Sequence, residues 1–242
     1  YWAGIFTLPD LEKLKKNKGQ SSTFNSGATS DQQINTKSTK SSSGNLVESL
    51  DWRARHGANN PRSPYYEGDH KQGGWMTSVK DQGNCGSCVS FTSVGLTESI
   101  VNLYFNQHID MNLSEQQGVS CTSVDCETGG NNSWVLNLIQ NEGLVNESCF
   151  EYSASDESCE NICSNPNERI YIDNYTSIND TETDIKQALL NGPLAGALHS
   201  YATDWHHAMI LAGFHKIQAN DKIYYVNNTD STRHWIQIQP GN

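Results

Sequence analysis

The sequence predicts an α+β fold, with helices first and strands later. Between about Ser87 and Phe105, the apolar residues Val89, Leu96, Ile100, Val101, Leu103 and Tyr104 recur at helical spacing. Beyond Gly192-Pro193 the pattern changes to short runs rich in β-branched and aromatic residues, separated by turns. This segregation argues against the alternation of a parallel α/β sheet, and no internal repeat is present.

Taken in order, Leu8, Leu11 and Leu14 predict a short amphipathic helix, with Asp10 as cap and Gly19 as stop. Residues 21–43 hold twelve Ser or Thr against the isolated apolar pair Phe24 and Ile34, which predicts a flexible linker. The body starts near Leu50, and residues 56–75 read as a long loop. Helices follow at 87–105, around Trp134, Val135, Leu138 and Ile139, and around Ile185, Leu189 and Leu190, where Gly192-Pro193 ends the last. Leu194–His199, Ala208–Phe214, Ile223–Asn227 and Trp235–Gln239 read as strands of a small antiparallel sheet or barrel. Glu98 and Glu115, inside helical segments, read as solvated or capping carboxylates.

Composition narrows the function classes. In 242 residues the net charge is −11, which makes nucleic-acid backbones and anionic membranes poor partners. No stretch approaches the ~18 consecutive apolar residues of a membrane helix. Residues 1–49 carry six Lys and four acids, so a mildly basic segment precedes a strongly acidic body. Apolar residues with Gly but without Tyr make up about 39% of the chain, below the usual range, so either part of the chain is unstructured or something besides the core helps to hold the fold.

Cys85, Cys88, Cys121, Cys126, Cys149, Cys159 and Cys163 give an odd count, which suggests three bridges and one free thiol. Bridges persist in oxidising compartments, so the expected location is secreted, periplasmic, or a lysosome or vacuole reached through secretion. N-x-S/T sequons at Asn112, Asn131, Asn146, Asn174, Asn179 and Asn227 fit a glycoprotein, although an Asn-rich chain also produces them by chance. No initiator Met and no signal peptide is present, so a processed or trimmed chain is expected.

The chemistry concentrates at Gln82-Gly83-Asn84-Cys85-Gly86-Ser87-Cys88, directly before the long helix. A thiol at a helix N-terminus faces unpaired N–H groups and the positive end of the dipole, and both favour the nucleophilic thiolate. Such a thiol needs an imidazole to take its proton and a third group to orient that imidazole. His207 before Ala208–Phe214 and Asn228 after Tyr224-Tyr225-Val226 are the candidates, with His206 the rival base and Asn227 the rival orienter.

These blocks resemble the papain-like cysteine proteases over roughly residues 50–242. The matching residues are Asp51-Trp52-Arg53, Val79 to Cys88, Leu113 to Gln117, Gly129-Gly130, Asn191-Gly192-Pro193, His207-Ala208 and Asn228-Thr229. The resemblance implies a helical lobe at about 76–165 and a β-barrel lobe at about 166–242 with 50–75, with the active-site cleft between them. It implies Cys88 as nucleophile, His207 as base and then acid, Asn228 as orienter of the ring, and Gln82 as oxyanion donor. Gly129 and Gly130 would pair with substrate backbone. It further implies bridges Cys85–Cys126, Cys121–Cys159 and Cys149–Cys163, with exchange of partners between Cys159 and Cys163 left open. No metal or organic cofactor is implied, and the expected partner of a monomer is a peptide or protein substrate.

Several departures are visible. Val89 stands where the family usually has Trp after the nucleophile, Thr229-Asp230 where it has Ser-Trp, and the stretch from Leu194 to His206 is short. These keep other readings open. One is an impaired papain-like protein that binds peptides or a partner, and another is a transpeptidase. A redox or zinc role for Cys85-Gly-Ser-Cys88, or a purely structural Cys88, also remains. Tyr1-Trp2-Ala3-Gly4 is faintly similar to propeptides of cathepsin-B-like enzymes. Residues 1–49 therefore read either as an intramolecular propeptide of a zymogen or as an arm without inhibitory role.

Overall fold

The computed structural model describes residues 3–7, 47–53, 75–105, 109, 111–166, 168–200, 205–215, 222–226 and 233–237. The expected helix over 8–19 and linker over 21–43 lie outside them, as does Asn228.

Helix α1 (Cys88–Phe105) is the central element, buried on nearly every side. Two of its buried hydroxyls are bonded locally, Thr97 and Ser99 donating to the Ser93 and Gly95 carbonyls one turn back, while Ser90 and Asn102 donate to the Glu115 and Trp75 carbonyls of other segments. Helix α2 (Glu115–Ser120) starts where the Ser114 hydroxyl accepts from Gln117 N at 3.0 Å. Helix α3 (Asn132–Asn141) is capped by Asn131, and α4 (Glu182–Leu189) by Thr181. Glu182 and Asp184 in the first turn of α4 and Lys186 in the last complement the helix dipole.

The strands are β1 (Ala3–Thr7), β2 (Ser49–Asp51), β3 (Asn174–Ser177), β4 (Leu194–Ser200), β5 (Trp205–Leu211), β6 (Gly213–His215), β7 (Lys222–Val226) and β8 (Arg233–Gln237). They form an antiparallel four-stranded sheet in the order β3-β1-β4-β5, and two antiparallel pairs, β2-β6 and β7-β8. Neither Ala3–Thr7 nor Asn174–Ser177 is among the strands expected from the residue pattern; both are short and their pairing partners are far away in the chain.

One core spans helices and sheet. Val94, Leu96 and Val101 of α1 and Val135 and Ile139 of α3 cluster with Ala195 of β4 and Ala208 of β5. A second cluster, Trp52, Trp75 and Met76, reaches Leu103 and Ile210. Trp52 Nε1 also donates to the Leu189 carbonyl at 2.8 Å, tying β2 to the end of α4. Disulfides join Cys85 to Cys126, Cys121 to Cys159 and Cys149 to Cys163, and Cys88 is the free cysteine. Loops of 41, 38 and 14 residues closed in this way each stabilise the fold by about 3–4 kcal/mol on the chain-entropy model. They add cross-links to a core that is modest for the chain's length.

Candidate active site

The segment before α1 is fixed from several directions. The Cys85–Cys126 bridge and a Gly86 N bond to the Cys126 carbonyl at 2.8 Å clamp it to the 121–130 loop. Tyr152 donates its hydroxyl to the Gln82 carbonyl at 2.8 Å and lies 2.6 Å from the Ser87 hydroxyl, so one side chain bridges both ends of the segment. Burial pushes the Tyr152 phenol above its usual range, so it stays a neutral donor. The Ser87 carbonyl accepts from Ser90 N and Phe91 N, which opens the helix with Cys88 as its first residue.

The opposing wall comes from β5. Its register against β4 sets Leu198 opposite His207 and Ala197 opposite Ala208. Helix α1 approaches this strand closely at Gly95, where an added Cβ would stand 3.1 Å from Ile210 Cδ1. A cleft of about 520 Å³ lies between the two elements and is lined by Cys88, Gln82, His207 and Met209, among others. His206 is exposed and is not among its lining residues, whereas His207 is half-buried and is. The Gln82 amide donates to the Cys85 carbonyl at 2.8 Å in this state.

Gly129 and Gly130 sit beside the cleft rather than on its lining. Gly129 has φ +79° and lies against Gly86, where a Cβ would come within 2.9 Å of Gly129 N. At Gly130 a Cβ would meet Val124 Cγ2 at 2.6 Å. The Asp125 carboxylate accepts from the Thr128 hydroxyl, Thr128 N and Glu127 N, which shapes this turn and holds its pKa below the usual carboxylate range.

Glu98 and Glu115 correct the expectation of solvated or capping carboxylates. Both are buried, and Lys80 Nζ bridges them at 3.0 and 2.7 Å on the cleft wall. Glu98 also accepts from the Thr77 hydroxyl at 2.6 Å and Leu113 N at 2.8 Å. Burial pushes the Glu115 carboxyl up to about 7 despite the Lys80 charge, and Lys80 itself is held above the usual lysine range by its two carboxylates, against the effect of its own burial. Helical periodicity read Glu98 and Glu115 by their element. The missed signal was Lys80, whose partners lie 18 and 35 residues away.

Residues 66–233 match the family described as papain family cysteine protease. The chain belongs to the papain family of cysteine proteases. Among relatives of this papain-family chain, ananain from Ananas comosus is 30% identical over 178 residues, covering 66% of the chain and 50% of ananain. A probable cysteine protease of Arabidopsis thaliana is 31% identical over 180 residues, 70% of the chain and 49% of that protein. The chain thus spans about half the length of both. A Carica candamarcensis cysteine protease solved in complex with E-64 superposes with a TM-score of 0.56 at 21% identity, over 81% of this chain and 92% of that one. Bromelain from Ananas comosus with E64 gives 0.53 at 23%, over 78% and 81%. The fold is therefore the two-lobed α+β architecture of papain-like proteases.

Proposed function

We propose that this chain is the catalytic part of a cysteine endopeptidase. One observation carries the reading: the free thiol among seven cysteines, Cys88, occupies the first residue of α1 and shares its cleft with His207 and Gln82. On this reading the Cys88 sulfur attacks a peptide carbonyl carbon and its proton passes to the His207 imidazole. The developing oxyanion takes hydrogen bonds from the Cys88 N–H and from the Gln82 amide, which leaves the Cys85 carbonyl to do so. His207 then protonates the leaving amine, the C–N bond breaks, and a thioester remains. Water, deprotonated by His207, attacks that thioester and releases Cys88. Asn228 accepts from the other imidazole nitrogen and sets its tautomer.

Substrate backbone pairs with the main chain at Gly129 and Gly130, where close contact with Gly86 and Val124 leaves no space for a side chain. No metal or organic cofactor enters these steps. Three bridges fit a protein on the secretory route or outside the cell, and turnover requires conditions reducing enough to keep Cys88 a thiol. Incubation with E-64 should add one equivalent at Cys88, read by peptide mass mapping, and Cys88→Ala should abolish peptide turnover. A folded chain that takes no label, or a Cys88→Ala variant that still turns substrate over, overturns the proposal.

A further inference from the structure

The first strand of the chain lies inside the four-stranded sheet, between β3 and β4. On one side Gly4, Ile5, Phe6 and Thr7 pair with Ser177, Thr176, Tyr175 and Asn174. On the other, Ala3 and Gly4 pair with Gly196 and Ala195. β3 and β4 are joined through α4 and do not pair with each other, so without β1 the sheet would present two facing edges of unpaired N–H and C=O groups. A gap one strand wide between two such edges binds an extended segment by main-chain hydrogen bonds on both sides. Residues 8–46 separate β1 from the next described segment of the body, so β1 does not reach the gap as part of a hairpin.

We propose that the gap between β3 and β4 is a strand-binding site whose ligand is residues 3–7 of the same chain, held by main-chain pairing whether or not residues 8–46 are intact. A cut in residues 8–46 then yields a two-piece protein that keeps its first strand. β4 pairs on its other side with β5, the strand of His207, so the bound segment braces the wall of the cleft. The proposal does not depend on peptidase activity, and its test is free of it.

In the full chain carrying Cys88→Ala, which prevents self-cleavage, a recognition site for a specific protease is inserted after Ser30 and cut. In native buffer the N-terminal piece should co-elute with the body at the size of the intact monomer, and separate in denaturant. Gly4 pairs on both sides, so Gly4→Pro removes a ladder hydrogen bond whichever way its N–H points. It should release the cut piece and, in the uncut chain, speed amide exchange in β3 and β4 by about tenfold or more. Gly4→Ala keeps the N–H and should retain the piece. A piece that separates in native buffer, a cut protein that elutes as a dimer, or a Gly4→Pro piece that stays bound overturns the proposal.

Discussion

Replacing Glu115 with glutamine should flatten the pH dependence of stability. Lys80 is one cation facing two buried carboxylates, so with all three charged the cluster holds an uncompensated negative charge. Burial raises Glu115 from 4.5 to about 7 in the folded chain. A raised carboxyl means that the folded state binds a proton more tightly than the unfolded state does. That stabilisation is complete below pH 4.5 and is lost as pH rises through 7. Between pH 5 and pH 8 the loss amounts to about 2–3 kcal/mol. For a chain of this size that corresponds to a fall of about 5–10 °C in melting midpoint. A glutamine amide cannot ionise, so the Glu115→Gln variant should match the parent near pH 5 and exceed it at pH 8 by about that amount. Lys80→Met, which leaves two carboxylates without their cation, should show the opposite, a loss that grows with pH. Thermal melts at half-unit pH steps read both. Parallel pH profiles for parent and Glu115→Gln would refute the assignment of the buried proton to this cluster.

Four further outcomes follow from local geometry. Tyr152→Phe removes the hydroxyl shared by Gln82 and Ser87. It should cost about 1–3 kcal/mol in urea titrations and slow alkylation of Cys88 by E-64 while leaving helix content unchanged. Gly130→Ala drives a methyl toward Val124 and should destabilise by about 1–3 kcal/mol. Gly95→Ala meets only the flexible end of Ile210 and gains up to about 1 kcal/mol of helix propensity, so it should be neutral or stabilising. The double replacement Cys149→Ser, Cys163→Ser opens a 14-residue loop and should cost about 3 kcal/mol, seen as a lower urea midpoint.

Much of the fold was legible because its signals are local. α1, α3 and α4 appear where apolar spacing places them, and β4, β7 and β8 where short β-type runs predict them, whereas the single run expected over Ala208–Phe214 is divided between β5, which starts at Trp205, and β6. Gln82 and Cys88 are six residues apart, so their joint presence at one cleft follows from a single loop entering a helix. His207 is different: it lines that cleft only because α1 packs on β5 at Gly95, across more than a hundred residues. The Lys80 cluster was illegible for a similar reason, since periodicity reports which face a residue occupies and not which charge waits opposite it.

The amino-acid order alone determined the α+β class, the helix that opens at Cys88 and the block of residues that marks the family, since each is written within a few consecutive positions. Only the tertiary structure decided that His207 rather than His206 faces the cleft, that Lys80 is buried between two carboxylates, and that Ala3–Thr7 lies inside the sheet. Each of these depends on free energy gained between segments far apart in the chain. Burial, charge pairing and strand order take their value from the partner, and the partner is fixed only when the chain has folded.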